Sequence, residues 1–255
     1  MALSPIISVI TVNYNDRKGL ERTVESVLNQ SYRPLELVVV DGLSTDGSRD
    51  YLQSLQDPIV KYISEPDQGI YDAMQKGLSI ASGDAVIFLN AGDWFFNDDV
   101  LTSMARRVNV TSSVVLARTA QIYGDDIYIR PRLERLGTLV KFPAHQGVIV
   151  PMSVAKSIPF DQRRYISADT SWILQCIATC NYVLDPCILS YFELGGTSNA
   201  TNFKSLEKWV REAMPGQRVI RLFKAALKWS IAHLVGKRLF YRMLYWHRYE
   251  HVLKE

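Results

Sequence analysis

The first hundred residues alternate between short, unbroken apolar runs and stretches whose apolar positions recur every three or four residues. Runs at 6–12, 35–40, 59–63 and 85–89 are rich in Val and Ile and have strand length, while 20–28, 46–55 and 70–80 carry the helical spacing. A strand that is apolar at every position has both faces covered, so the pattern predicts an α/β fold: a Rossmann-like, mostly parallel sheet flanked by helices. Ser44-Thr45-Asp46 supplies a cap for the helix after the second strand.

Beyond residue 113 the rhythm shortens. Strand-like pieces fall at 114–117, at 121–129 with a break at Gly124-Asp125, and at 145–150, where Pro151 suits the first turn of a short helix. A helix at 169–181 precedes strand pieces at 182–184 and 188–192, and Gly195-Gly196-Thr197 marks a turn where regular structure stops. We therefore expect a catalytic or binding domain over 1–202, with halves 1–110 and 111–202, followed by a separate tail over 203–255.

The tail reads as a basic amphipathic helical segment. At 100° per residue Ile220, Phe223, Leu227, Ile231 and Leu234 share an arc of about 80°, while Arg218, Arg221, Lys224 and Lys228 occupy another of about 120°. With Trp229, Tyr241, Tyr245, Trp246 and Tyr249 nearby, this resembles a helix lying on an anionic membrane surface. The other reading is a helix packed on the body with a solvated basic face.

Charge sharpens that division. The chain nets +3, but residues 204–255 carry 12 Lys/Arg against 4 Asp/Glu, leaving 17 basic and 22 acidic residues in the first 203. A mildly acidic body with a basic tail points to an anionic surface met by the tail alone, a membrane rather than nucleic acid. Three cysteines, Cys176, Cys180 and Cys187, are an odd count that argues against a disulfide framework and for a reducing compartment. The apolar N-terminus lacks a basic lead and is expected to be the first strand, not a signal peptide. No uncharged apolar run reaches about 18 residues, so we expect no spanning helix and a peripheral protein on the cytoplasmic face of the inner membrane.

Two carboxylates carry the candidate chemistry. Asp41 closes the run Leu-Val-Val-Val, and Asp93 follows Val-Ile-Phe-Leu-Asn-Ala-Gly; both fall at carboxyl ends of strands, where open α/β sheets bind ligands. One such group can accept hydrogen bonds from a nucleobase or ribose, and a second can ligate a divalent cation on a diphosphate. Asp41 before Gly42 also suits a plain turn. His247 and His251 have helix-face spacing but no third ligand, and are read as surface residues.

The order and spacing of five segments resemble the family 2 glycosyltransferases, with bacterial exopolysaccharide enzymes of the colanic-acid type looking closest. They are Val-Ile-Thr-Val-Asn-Tyr-Asn at 9–15, Val-Val-Asp-Gly-Leu-Ser-Thr-Asp-Gly-Ser at 39–48, Glu-Pro-Asp-Gln-Gly-Ile-Tyr-Asp-Ala-Met-Gln-Lys-Gly at 65–77, Ala-Ser-Gly-Asp at 81–84 and Phe-Leu-Asn-Ala-Gly-Asp at 88–93. The resemblance covers roughly residues 6–200 and implies a GT-A fold, a nucleotide-sugar donor (UDP favoured) and inverting transfer to a lipid-linked or growing surface-polysaccharide acceptor. It implies that Val12 and Tyr14 line the base pocket, that Asp41 recognises the base, and that Asp67 and Gly92 also border the nucleotide. Asp93 matches the last carboxylate of the family's metal motif and implies Mn²⁺ or Mg²⁺. Here the motif departs from the common form, with Asn90 and Gly92 at the other acidic positions. Asp169, in Ile-Ser-Ala-Asp-Thr-Ser-Trp, matches the general base. His145, Gln146, Gly196 and Thr197 match positions near the diphosphate or acceptor.

Two other readings stand beside this one. A nucleotidyltransferase that makes an activated sugar shares strand-end carboxylates, although 13–19 lacks the Gly-rich basic loop it needs. A degenerate, non-catalytic membrane-associated assembly subunit would explain the reduced metal motif.

Overall fold

The computed structural model describes residues 4–129, 135–136, 139–140, 144–163, 167–194, 236–245 and 250–253, with single positions between 222 and 234. Its first part is a βα repeat: β1 (Ile7–Asn13), α1 (Arg17–Leu28), β2 (Leu35–Asp41), α2 (Ser48–Ser54), β3 (Val60–Ser64), α3 (Ile70–Ile80) and β4 (Ala85–Phe88). The four strands run parallel in the order β4-β1-β2-β3.

Alternate residues of these strands feed two separate cores. Ile7, Val9, Leu37, Val39 and Ile87 pack with Leu20 and Val24 of α1 and Leu52 of α2, while Ile10, Val12, Val38, Val40 and Phe88 pack with Tyr71, Met74 and Leu78 of α3. Both faces are dry, which is why the sequence shows continuous apolar runs. The contact of α3 with β1 depends on Gly77, because a Cβ there would lie 2.4 Å from Ile10 Cγ2.

The second part comprises β5 (Trp94–Phe95), α4 (Val100–Ala105), β6 (Val114–Tyr123), β7 (Asp126–Ile129), the ladder of β8 (Arg135–Leu136) and β9 (Leu139–Val140), β10 (Val148–Pro151), α5 (Met152–Ser157), α6 (Ala168–Thr179) and β11 (Tyr182–Glu193). β10 lies antiparallel between β4 and β6, β11 runs parallel to β6, and β5 pairs antiparallel with β11. Pieces expected at 182–184 and 188–192 are thus one strand. Its register shifts between Leu184 and Ser190, around Pro186, which has no N–H to give the ladder. β5 and α4 occupy a stretch to which the sequence pattern assigned nothing.

The end of the chain corrects the expectation of a helical tail reaching residue 255. α7 (Lys237–Tyr245) is helical, but β12 (Glu250–Leu253), which includes His251, is a strand that pairs antiparallel with β7. Phe240 and Tyr241 are buried against Tyr128, Phe192 and Leu194, so Tyr241 cannot serve as an interfacial aromatic. Arg238 Nε and Arg242 Nη2 grip the buried carboxylate of Asp126 at 2.7 and 2.6 Å. Further up the tail, Leu222, Lys224, Leu227, Trp229 and Leu234 are helical and exposed. No helix among the described residues is long and apolar enough to cross a membrane. Arg218, Arg221, Phe223, Lys228, Gly196 and Thr197 lie outside the described residues.

Strand order reverses between β1 and β4, and such a reversal opens a crevice at the carboxyl ends of the strands. The candidate residues gather at that edge.

Candidate active site

Asn13 ends β1 and Asp41 ends β2, directly opposite in register. Asp41 is enclosed: Oδ1 accepts from Asn13 Nδ2 at 2.8 Å, and Oδ2 accepts from Ser44 N at 3.0 Å and Ser64 Oγ at 2.6 Å. Burial opposes its ionisation, but the bonds from Ser44, Ser64 and Asn13 outweigh burial and hold the carboxyl below its ordinary range. Val12 is buried in the core, whereas Tyr14 is 70% exposed. Between them and Asp67 lies Gly42, where a Cβ would stand 2.5 Å from Asp67 Oδ2 and 3.1 Å from Tyr14 Cδ2. Only glycine lets the Tyr14 ring and the half-buried Asp67 close over the end of β2. Asp67 is fixed in turn by Gly69 N, which donates to Oδ1 at 2.8 Å.

Asp93 sits past the end of β4, in the turn that leads into β5, rather than on the strand itself. Gly92 takes φ +94°, a backbone region that L side chains rarely adopt. Thr23 of α1 pins this turn, its hydroxyl accepting from Gly92 N at 3.1 Å and donating to Asp93 O at 2.6 Å. The Asp93 carboxylate is buried, and its Oδ2 accepts from Asn90 N and from Gln146 Nε2, both at 3.0 Å. Burial pushes the carboxyl up to about 6, with His145, Gln146 and the Asn90 amide offsetting part of that rise.

Asp169 is the second residue of α6. His145 Nδ1 donates to its Oδ2 at 3.0 Å and Tyr71 OH donates to Oδ1 at 3.3 Å. On the far side of the imidazole, Nε2 faces Asn90 Nδ2 at 3.2 Å. Burial again opposes ionisation, yet the bond and charge of His145, the Thr170 amide and Tyr71 outweigh it, and Asp169 is held below the ordinary carboxylate range. Burial and the neighbouring Asp169 push the Tyr71 hydroxyl upward, which keeps it a donor. His145 and Gln146 belong to a 3₁₀ turn, His145–Gly147, and not to the start of the following strand.

Asn13 Oδ1, Asn90 Oδ1 and Gln146 Oε1 are buried and have no hydrogen-bond partner. An unmade buried bond costs about 1–3 kcal/mol, so three at one edge mark a place built to meet something else. Among the described residues no three His, Cys, Asp or Glu side chains could hold a metal together. Asn90 and Gln146, which both bond Asp93 Oδ2 through N–H groups, carry two of those unpartnered oxygens. The Asp93 carboxylate is a hard-oxygen ligand that suits Mg²⁺ or Mn²⁺ when diphosphate oxygens and water complete the shell.

Comparison with known proteins decides the family, because the profile described as Glycosyl transferase family 2 matches residues 8–167. The chain belongs to glycosyl transferase family 2. An uncharacterised glycosyltransferase of Mycobacterium tuberculosis is 33% identical to this family 2 enzyme over 212 residues, 78% of the chain and 79% of the relative. A PGL/p-HBAD biosynthesis glycosyltransferase of Mycobacterium bovis is 27% identical over 212 residues, 77% of the chain and 80% of the relative. Among solved structures, S. aureus TarS 1–349 in complex with UDP-GlcNAc superposes with a TM-score of 0.61 at 18% identity, covering 86% of the chain and 71% of that structure. The mannosyltransferase PcManGT from Pyrobaculum calidifontis, in complex with GDP-Man and Mn²⁺, gives 0.59 at 16% identity, covering 95% of the chain and 79% of that structure. These likenesses establish the GT-A fold, and membership of the family sets aside the nucleotidyltransferase reading.

The edge thus brings together Val12, Tyr14, Asp41 and Asp67 on one side, and Gly92, Asp93, His145, Gln146 and Asp169 on the other. Four further residues complete it. Asn13 and Tyr71 lie inside segments that carry the family resemblance, so the motifs themselves flag them. Asn90 was noted only as a missing carboxylate. Thr23 sits on a helix with no local signal, and its role shows only once α1 meets the Asp93 turn.

Proposed function

We propose that this family 2 enzyme is an inverting hexosyltransferase that uses a nucleotide-sugar donor, a UDP-sugar by preference, and a lipid-linked or growing surface-polysaccharide acceptor. The observation that carries the reading is a pair of carboxylates in contrasting states: Asp169 held ionised by His145 and Tyr71, and Asp93 buried beside unpartnered amide oxygens. Structural neighbours solved with UDP-GlcNAc, or with GDP-Man and Mn²⁺, support a nucleotide-sugar donor and a divalent ion.

In this reading the exposed Tyr14 ring stacks on the base, Val12 walls the pocket and Asp67 accepts from base or ribose donors, while Asp41, fully buried, meets the base only where Tyr14 and Asp67 move apart above it. Gly92 lets the backbone approach the diphosphate. Asp93 would hold Mg²⁺ or Mn²⁺, which when bound would offset the charge developing on the leaving diphosphate. Asp169 takes the proton from an acceptor hydroxyl. The acceptor oxygen bonds to the anomeric carbon as the bond from that carbon to the diphosphate oxygen breaks, and attack from the opposite face inverts the centre. An ionised carboxylate at neutral pH is what that base requires.

Asp169→Asn is expected to lower transfer by about 10²–10⁴-fold while donor binding, read by thermal shift with Mn²⁺ and UDP- or GDP-sugars, persists. Turnover near that of the parent enzyme would remove Asp169 from the base role.

The tail supports a peripheral position on the cytoplasmic face of the inner membrane, since exposed Leu222, Leu227, Trp229 and Leu234 accompany Lys224 there. A Leu227→Asp, Trp229→Asp double variant should lose co-flotation with anionic liposomes. Undiminished flotation would leave the tail without this role.

A further inference from the structure

The 3₁₀ turn His145–Gly147 touches both carboxylates, and nothing in the assigned chemistry requires it to. From adjacent positions, His145 Nδ1 meets Asp169 Oδ2 and Gln146 Nε2 meets Asp93 Oδ2, each at 3.0 Å. Asn90 closes the circuit from the other side. Its backbone N–H bonds Asp93 Oδ2 at 3.0 Å and its side-chain amide bonds His145 Nε2 at 3.2 Å. The position where this chain lacks an acidic residue therefore holds the histidine.

The turn is anchored at both ends. Ser190 Oγ of β11 donates to Gln146 O at 2.7 Å, and Gly147 N bonds Ala144 O at 2.9 Å. Immediately downstream, β10 is hydrogen-bonded to β4 on one side and β6 on the other. A two-residue span fixed in this way has little freedom to change the distance between the groups it grips. Among the described residues two side chains reach Asp169, His145 and Tyr71, and the Tyr71 contact is the longer at 3.3 Å. Its orientation therefore depends chiefly on the imidazole.

We propose that the 145–147 turn sets the spacing of the two carboxylates, with His145 as the positioning residue of the base and Gln146 as that of the metal-side carboxylate. The turn contacts neither reacting atom. It fixes the distance between the two carboxylates while each keeps its own contact, His145 for Asp169 and Gln146 for Asp93. The proposal rests on the roles given above to Asp93 and Asp169.

The side-chain amide of Asn can place an N–H where Nδ1 of His145 stands, whereas that of Gln reaches the Nε2 position. His145→Asn is therefore expected to keep kcat within about threefold, and His145→Gln to lower it about 30–100-fold with donor KM unchanged, in line with the 10–100-fold cost of losing an orienting partner. Gln146→Leu should do the reverse, raising donor KM in Mn²⁺ about tenfold while kcat at saturation falls little. Circular-dichroism melting of each variant separates these losses from unfolding, and for any variant that melts below the assay temperature the same split is read from Asn90→Ala, expected to lower kcat through His145. Equal losses in the two His145 variants, or a His145 effect confined to donor KM, would overturn the proposal. If Asp169→Asn turns over normally, the base assignment has failed instead, and the two failures are distinguishable.

Discussion

The half of the molecule that carries Asp41 and Asp93, proposed to take the donor, and the half that carries His145 and Asp169, proposed to supply the base, are built by different rules. Residues 7–88 form four parallel strands whose carboxyl ends deliver Asn13, Tyr14 and Asp41 to one edge directly, by local chain direction. The second half delivers Asp169 from the start of a helix and His145 from a 3₁₀ turn, and these meet only through contacts 24 to 98 residues apart in sequence. Their electrostatics differ as well. Asp93 is pushed up by burial, while Asp169 is pulled down by its partners in spite of burial. A site assembled from two such halves can lose one function and keep the other.

The largest test of that separation is Asp93→Ala, expected to weaken Mn²⁺-dependent donor binding at least about a hundredfold by isothermal titration. Equal donor affinity with and without Asp93 would dissolve the distinction between the halves. Next comes pH. Asp93 titrates at about 6 and Asp169 lower, so acidification should protonate the donor side first. Donor affinity should fall about tenfold per unit below that value, before kcat at saturating donor declines. A kcat that falls first would reverse the assignment.

Two smaller tests compare buried carboxylates that do no chemistry. On the donor side Glu36 is held at about 2 against burial by bonds from Lys61, Ser8 and Ser82. Its folded value lies below its unfolded one, so its stabilisation is fully present above about 4.5 and is lost as pH falls towards 2. Since Lys61 is half exposed, we discount the shift to about 2 kcal/mol. Glu36→Gln should lose that amount in urea unfolding at pH 7, with the difference vanishing in acid. In the second half, Asp126→Asn should cost about 1–2 kcal/mol, less than a wholly buried pair, because Arg238 and Arg242 keep contact with water. Turnover should be retained, which urea titration and an activity assay on the same preparation will show.

The donor-side half was largely legible because its signals are local. Apolar runs located β1 to β4 to within one or two residues, and the Asp-Gly and Asp-Gln-Gly-Ile-Tyr segments pointed to Asp41 and Asp67. The other half was legible only where a motif was short and complete, as at Asp169. β5 is two residues long and leaves no periodicity. β11 read as two pieces because Pro186 interrupts it, although the strand continues through a register shift. Asn90 looked like a defect in a metal motif, and its bond to His145, 55 residues away, lies beyond any spacing rule. Tyr241 had the composition of a membrane anchor, yet Tyr128 and Phe192 offered it a core.

β12 has a consequence for how this enzyme stays a well-behaved particle. By pairing with β7 it occupies the outer row of donors and acceptors on that strand, four residue pairs from Glu250–Ile129 to Leu253–Asp126. A bare strand margin of this kind is a template for joining a second molecule. Glu250–Leu253 thereby becomes the margin itself, and an edge only four residues long gives a second molecule little to pair with.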